Sequence, residues 1–501
     1  MIFNSVSFLC IFLPVMLTGY FLLPKKAKNV WLLLGSLFFY AWGGPKHLIF
    51  LVSSIVINYA AALLISKLST EGVADERGNN TVHFAAQKAV LAVTVVLNIG
   101  SLIYFKYIGM LFETARDLFN PTLNIPEVIL PLGISFYTFQ CLSYVIDVYR
   151  IEGAKLPDGK VNTIITKNVC DFALFVTFFP QLLQGPIIRF SDVKDTLRNP
   201  QTTLDDVISG IERFIVGLSK KALIANTIGE VADNIFAGDP AYMSVSVAWL
   251  GAILYTLQIY FDFAGYTDMA IGLGKMFGFK IRENFDYPYI SKSITEFWRR
   301  WHITLSNWFR DYLYIPLGGN RKGNVYVNLL IVFLATGIWH GAAWGFLVWG
   351  LWHGLFMLIE RALKGKSFGI KIPAFLVGLL KWIYTMLVVT LGWVLFKIED
   401  IVEALNYIGA MFHVKSHTYN AFSLWYFLDK RLIFFLVIAV IACVPWAQIL
   451  PRHAAAYVAD FASAKKGPFR VARQVCLIIL MILCFIFVVN NTYSPFIYFQ
   501  F

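Results

Sequence analysis

Apolar runs near the length of a membrane crossing recur from one end of the chain to the other, separated by short stretches rich in lysine and arginine. A helix of about 20 apolar residues crosses a bilayer. The pattern predicts crossings at roughly 2–23, 30–43, 47–66, 87–112, 127–148, 168–187, 205–225, 243–262, 325–340, 342–362, 374–396, 431–449 and 474–492. Some are too short for simple spans. The pieces at 30–43 and 127–148, the latter with Pro131 and Gly133, read as tilted or broken. Irregular backbone at membrane depth is tolerated only where it is buried in protein or lines a cavity. The predicted fold is all-α and polytopic, with about 11–13 transmembrane helices and additional re-entrant or interfacial helices. One membrane domain over residues 1–501 is expected, with a less diagnostic helical tail over 366–501.

The loops orient this array. Lys25, Lys26 and Lys28 follow the first helix and place the amino terminus outside, because short cytosolic loops collect Lys and Arg. The basic loops 67–88 and 150–167 agree, each two crossings further on. Counting every later run as a crossing would put the basic stretches 280–324 and 451–473 outside. Removing 205–225, which carries Glu212, Arg213, Lys220 and Lys221, returns both to the cytosol and leaves the carboxy terminus outside. The first run lacks a basic leader and a small-residue cleavage site, so it reads as a retained helix.

Composition sharpens the picture. The 501 residues are 58% hydrophobic and 14% charged, far from the roughly 25% charge of soluble domains. The net charge of +12 sits in short loops, where it serves topology and lipid headgroups. No zinc-finger or basic-zipper pattern accompanies it, and nucleic acid is not an expected partner. Six cysteines without CxxC spacing indicate neither a disulfide framework nor a metal site.

The strongest break in composition is 280–324, too charged to span and too aromatic for a plain loop, as re-entrant or interfacial helices would be. Read as one helix, residues 297–312 put Trp298, Leu305, Phe309 and Tyr312 on one stripe, with His302 at its opposite margin. Arg299 and Arg310 lie just beyond His302; Arg300, Asn307 and Asp311 point roughly the other way. His302 is then either a group that meets an anionic donor or an interfacial histidine that snorkels. His340 lies deep in an apolar run between Gly337 and Gly341. An ionisable group there marks a functional site by default, and an imidazole titrating near neutrality suits general-base work. The alternative is a structural histidine bonded to a neighbouring helix. His353 repeats the Trp-His-Gly triplet, but a continuous helix turns it about 140° from His340. The two would share a site only if the helix breaks. Asp262 and Asp268 need partners, either a catalytic histidine or an interhelical polar network. Around Gln184, Gly185-Pro186 should end a helix and leave Arg189 among headgroups. No Ser-His-Asp signature, zinc spacing or phosphate loop is present.

Together, Trp298-Arg-Arg-Trp-His302, Asp311-Tyr-Leu-Tyr-Ile-Pro-Leu-Gly-Gly319 and Ile338-Trp-His-Gly341 resemble the signature region of the membrane-bound O-acyltransferases. Pro131-Leu-Gly-Ile-Ser-Phe-Tyr-Thr-Phe-Gln140, Tyr260-Phe-Asp-Phe-Ala-Gly-Tyr266 and Ser293-Ile-Thr-Glu-Phe-Trp298 point to the branch that acetylates exported polysaccharides such as alginate. The likeness covers roughly residues 1–365. It implies helices around a central tunnel, His340 as the essential membrane histidine and His302 as the second catalytic position. Trp298, Arg299, Arg310, Asp311, Asp262, Trp339 and Gln184 would support substrate or tunnel. It further implies no tightly bound cofactor, acetyl-CoA or another acyl thioester as co-substrate, and an extracytoplasmic polysaccharide-modifying partner. The expected setting is a multi-pass protein of the bacterial inner membrane. D-alanyl transfer to teichoic acid and a transporter or channel are the alternatives.

Overall fold

The computed structural model describes residues 1–70, 81–119, 121–126, 128–151, 163–365, 373–413, 422–451, 467–490 and 493. Much of the basic loops read at 67–88, 150–167 and 451–473 lies outside the described residues.

All regular structure among the described residues is helical. Six helices there are long and apolar enough to cross a membrane: His47–Ser69, Phe84–Leu118, Val245–Met276, Trp344–Leu363, Ala374–Lys397 and Pro468–Asn490. Phe8–Leu22, Val325–His340 and Ile401–Met411 are shorter apolar helices. Many of these helices turn apolar side chains outward, as with Val475, Ile478, Ile479 and Ile482 of the last one. In water such a surface would drive aggregation; in lipid it is the ordinary solvated face. The chain is a multi-pass membrane protein.

The chain divides into two compact units, residues 1–210 with 270–282 and residues 211–269 with 283–501. In the first, the run predicted at 168–187 is broken. Helix Val169–Thr177 gives way at Phe178 to the short Phe179–Leu182 helix. Pro180 explains the interruption, since it lacks an N–H and its ring blocks a preceding turn. The Ser36 hydroxyl accepts the freed Phe179 N–H at 3.1 Å, which satisfies the irregular backbone from within the protein. The Ile134–Ile151 helix is buried on nearly every face.

In the second unit, the 211–236 stretch packs on the Val245–Met269 part of the long helix. A Cβ added to Gly217 would come 2.6 Å from Gly265 O, and one on Gly265 would come 2.8 Å from Gly217 O. Only two glycines permit backbones this close. This approach brings the cations of the 205–225 run onto the acids of the long helix. Lys220 Nζ lies 2.6 Å from Asp268 Oδ2 and Arg213 lies 2.6 Å from Asp268 Oδ1, while Lys221 pairs with Asp262 where both are 1% exposed. The 204–236 stretch is not among the helices apolar enough to span; its charges serve this interface.

Candidate active site

The second unit also holds the histidines. Residues 297–312 do not form the single helix expected from their periodicity. The chain makes helix Ile294–Arg300, leaves helical geometry at Trp301 and His302, and resumes at Ile303–Phe309. The cause lies in the preceding segment. Asp286 N donates to Arg300 O at 3.0 Å and Ile303 N donates to Asn284 O at 2.9 Å. These two bonds take the carbonyl and amide that a continuous helix would use. His302 adopts φ +44°, a left-handed conformation uncommon for a non-glycine residue. Strain of this kind collects at functional sites.

The break changes where His302 points. Rather than lying on the margin of an interfacial helix, it is 1% exposed, with Phe263 edge-on at 4.7 Å between ring centres. Its Nδ1 lies 3.1 Å from Asn284 Oδ1, which also accepts from Thr304 N at 3.1 Å and Thr304 Oγ1 at 2.8 Å. An oxygen accepting two other donors assigns the proton to Nδ1. Nε2 then carries a lone pair, and it has no partner among the described residues. Burial pushes the imidazole down to about 3, so His302 is neutral at physiological pH and accepts through Nε2. Asn284→Leu removes the acceptor shared by three donors; a loss of about 1–3 kcal/mol is expected. A clearly lower unfolding midpoint in detergent checks it.

His340 ends the helix Val325–His340; Gly341, with extended backbone at φ −165°, closes it, and the chain turns into Trp344–Leu363. The two helices form a tight hairpin. A Cβ on Gly337 would meet Phe346 O at 2.5 Å, and one on Gly350 would meet Phe333 O at 2.5 Å. Their absence lets the hairpin close around His340, which is 2% exposed. The rings of Trp339 and Trp349 lie 4.9 Å from the imidazole and that of Phe396 lies 5.2 Å away.

The helix break also revises His353. The 140° separation assumed continuity through 341–343, and continuity fails there. Trp349 contacts both imidazoles, His340 at 4.9 Å and His353 at 5.2 Å. On the other side, Trp339 lies 6.1 Å from His302 and 4.9 Å from His340. Three buried histidines thus alternate with two tryptophans. Neither nitrogen of His353 has a partner among the described residues, nor has Nε1 of Trp298 or Trp349.

A cavity of about 1320 Å³ opens in this unit, above the roughly 300–1,000 Å³ usual for small-molecule sites. Six cations line it, Lys292, Arg299, Arg310, Arg361, Lys364 and Lys381, against one acid, Glu360. Glu360 is already engaged, accepting from Thr295 N at 3.0 Å and Thr295 Oγ1 at 2.7 Å at the start of helix Ile294–Arg300. Leu329, Phe333 and Thr336 line the cavity from the Val325–His340 helix. Spaced by four and three residues, they form one face, and four residues on that face reaches His340.

The remaining expected residues divide. Trp298 and Arg299 line the cavity, as does Arg310, which also pairs with Asp311 at 2.7 Å. Asp262 is held by Lys221 rather than by a histidine. Gln184 lies in the other unit, buried, with neither amide atom partnered among the described residues. Sequence reasoning ranks His353 behind the other two histidines and does not single out Asn284. The extended turn between two apolar runs was the available signal for the first; nothing in the pattern marks the second.

Fold and site together define a multi-pass membrane protein with a basic cavity along the helix that ends in the buried His340. The profile of MBOAT, the membrane-bound O-acyltransferase family, matches residues 163–365. The chain is 39% identical to the "Probable alginate O-acetylase AlgI" of Pseudomonas putida over 100% of both chains. It is 36% identical to the peptidoglycan O-acetyltransferase of Helicobacter pylori over 82% of this chain and 80% of that one. A teichoic acid D-alanyltransferase of Bacillus subtilis is 30% identical over 42% of this chain and 54% of its own. The chain belongs to the membrane-bound O-acyltransferase family and is an O-acyltransferase, as the motifs around His302 and His340 led us to expect.

Proposed function

We propose that this enzyme takes an acetyl group from a thioester entering on the cytosolic face, acetyl-CoA or another acyl thioester, and passes it to an exported polysaccharide such as alginate. Transfer is direct or through an extracytoplasmic partner protein, and the setting is the bacterial inner membrane. One observation carries the reading: the cavity is lined by a single face of the Val325–His340 helix, through Leu329, Phe333 and Thr336, and His340 lies one turn beyond the last of these on the same face. The helix spans roughly 23 Å between its ends, so a long, anionic thioester has cations for its charged part and a histidine for its acyl end. Relatives named for O-acetylation at 39% and 36% identity support acetyl as the group moved.

The chemistry follows. His340 takes the proton of an attacking hydroxyl, on a sugar or on a partner's nucleophile, as the new C–O bond forms. The C–S bond breaks, and the imidazolium returns the proton to the departing thiolate. His302, neutral with its lone pair on Nε2, suits accepting a hydrogen bond better than stabilising negative charge. It therefore fits the role of orienting a donor or acceptor N–H or O–H.

The test uses a null strain complemented with wild type or His340→Ala, with membrane expression checked. Acetyl on the extracellular polymer should return only with wild type. D-alanine in place of acetyl would favour the teichoic acid reading. Charge reversal of the rim provides a second check. Arg299→Glu with Lys364→Glu should raise KM for the thioester about 10-fold or more at low salt, with kcat little changed. The difference should shrink as salt screens it.

A further inference from the structure

The surroundings of His340 say something about the acyl group itself, given the thioester reading above. We propose that Trp339, Phe346, Trp349 and Phe396 form an acyl-length filter that confines the transferred group to about the size of acetyl.

Four observations converge. Three rings stand 4.9, 4.9 and 5.2 Å from the imidazole, on Trp339, Trp349 and Phe396. Those rings also brace one another, with Trp349 at 5.1 Å from Phe396, Phe346 at 5.1 Å from Phe396 and Trp393 at 5.5 Å from Phe396. Phe346 lies flush on the turn that follows His340, where a Cβ on Gly341 would strike its ring at 2.1 Å. All four residues are at most 7% exposed. A growing alkyl chain has to displace aromatic rings that have nowhere to go, because the Gly337 and Gly350 contacts already bring the hairpin backbones together. An acetyl methyl asks for the least displacement of any acyl chain.

The cations line the cavity rather than the ring cluster, so the carrier portion of the thioester is not what the filter reads. Discrimination falls on the carbons beyond the carbonyl. Phe396 is the wall to open: it stands edge-on to His340 and belongs to a different helix, Ala374–Lys397, so substituting it changes no residue of the Val325–His340 helix or its turn.

The experiment uses the full chain, purified and returned to vesicles, with acetyl-, propionyl- and butyryl-CoA as probes. The readout is the ratio of kcat/KM for butyryl to that for acetyl, which does not depend on how much of each preparation is active. Wild type should lose about 10-fold or more per added methylene. Phe396→Ala should raise the ratio at least about 10-fold, and Phe396→Leu less. Phe356→Ala, on a ring that packs with Trp352 and Tyr384, should leave it unchanged. Wild type that uses butyryl as readily as acetyl overturns the filter, as does an unchanged ratio in both Phe396 variants. Turnover of none of the three by wild type would instead overturn the acyl-CoA reading, and the filter with it. If Phe396→Ala does not survive purification, the Phe396→Leu ratio decides.

Discussion

His340→Ala is expected to lower acyl transfer by at least about 100-fold while leaving the protein folded in the membrane. A positioned general base contributes about 10²–10⁴ in rate, and His340 is the histidine that continues the cavity-lining face of its helix. The imidazole is enclosed by Trp339, Trp349 and Phe396, so alanine leaves a hole among rings as well as removing the base. His340→Gln separates these effects: it restores much of the volume and supplies polar atoms but cannot carry the proton. If Gln recovers activity and Ala does not, the site needs only shape there. If both lose activity with unfolding midpoints near wild type, the base is the missing part. Rates per mole of monodisperse protein give the answer.

The second large effect concerns stability. Lys221→Met should destabilise the protein by about 3–5 kcal/mol, because it strands the Asp262 carboxylate in a site where both side chains are 1% exposed. Asp262→Leu should do similar harm from the other side. The double variant Lys221→Met with Asp262→Leu should recover most of the loss, since replacing a buried pair with apolar groups of similar size is often neutral or better. Thermal unfolding in detergent reads all three. A single variant as stable as wild type would mean that the pair is solvated in the native state and contributes no more than a surface bridge.

The class of the fold was legible because bilayer thickness imposes a length on apolar runs and because short basic loops recur between them. The chain's family was legible from the residues around His302 and His340. Geometry at short range was not. Periodicity sees one helix through 297–312, and it cannot see that the 284–286 segment pairs with Arg300 and Ile303 and pulls His302 out of it. The same limit left His353 undecided. The sequence makes the two histidines neighbours only if the helix breaks between them, and the break at 341–343 is what the structure adds. Charge in the 205–225 run argues, on sequence alone, only against a membrane crossing. Its partners, Asp262 and Asp268, lie about 40 positions away in sequence or more, beyond any local pattern, and the Gly217–Gly265 approach that joins them is tertiary. Gln184 belongs to the resemblance alone. The resemblance places it with the tunnel, and it lies in the other compact unit, buried.

Whether a thioester reaches His340 from the basic cavity is tested most directly by one measurement. Wild type and His340→Ala, each as the full chain in sealed vesicles, are given acetyl-CoA labelled in the acetyl group on one face and a polysaccharide or partner acceptor on the other. The predicted result is acceptor-dependent release of free CoA matched by label on the acceptor side for wild type, with neither for His340→Ala. Equal release and transfer by the two proteins would contradict the account, as would movement of solute across the vesicle without any use of the thioester.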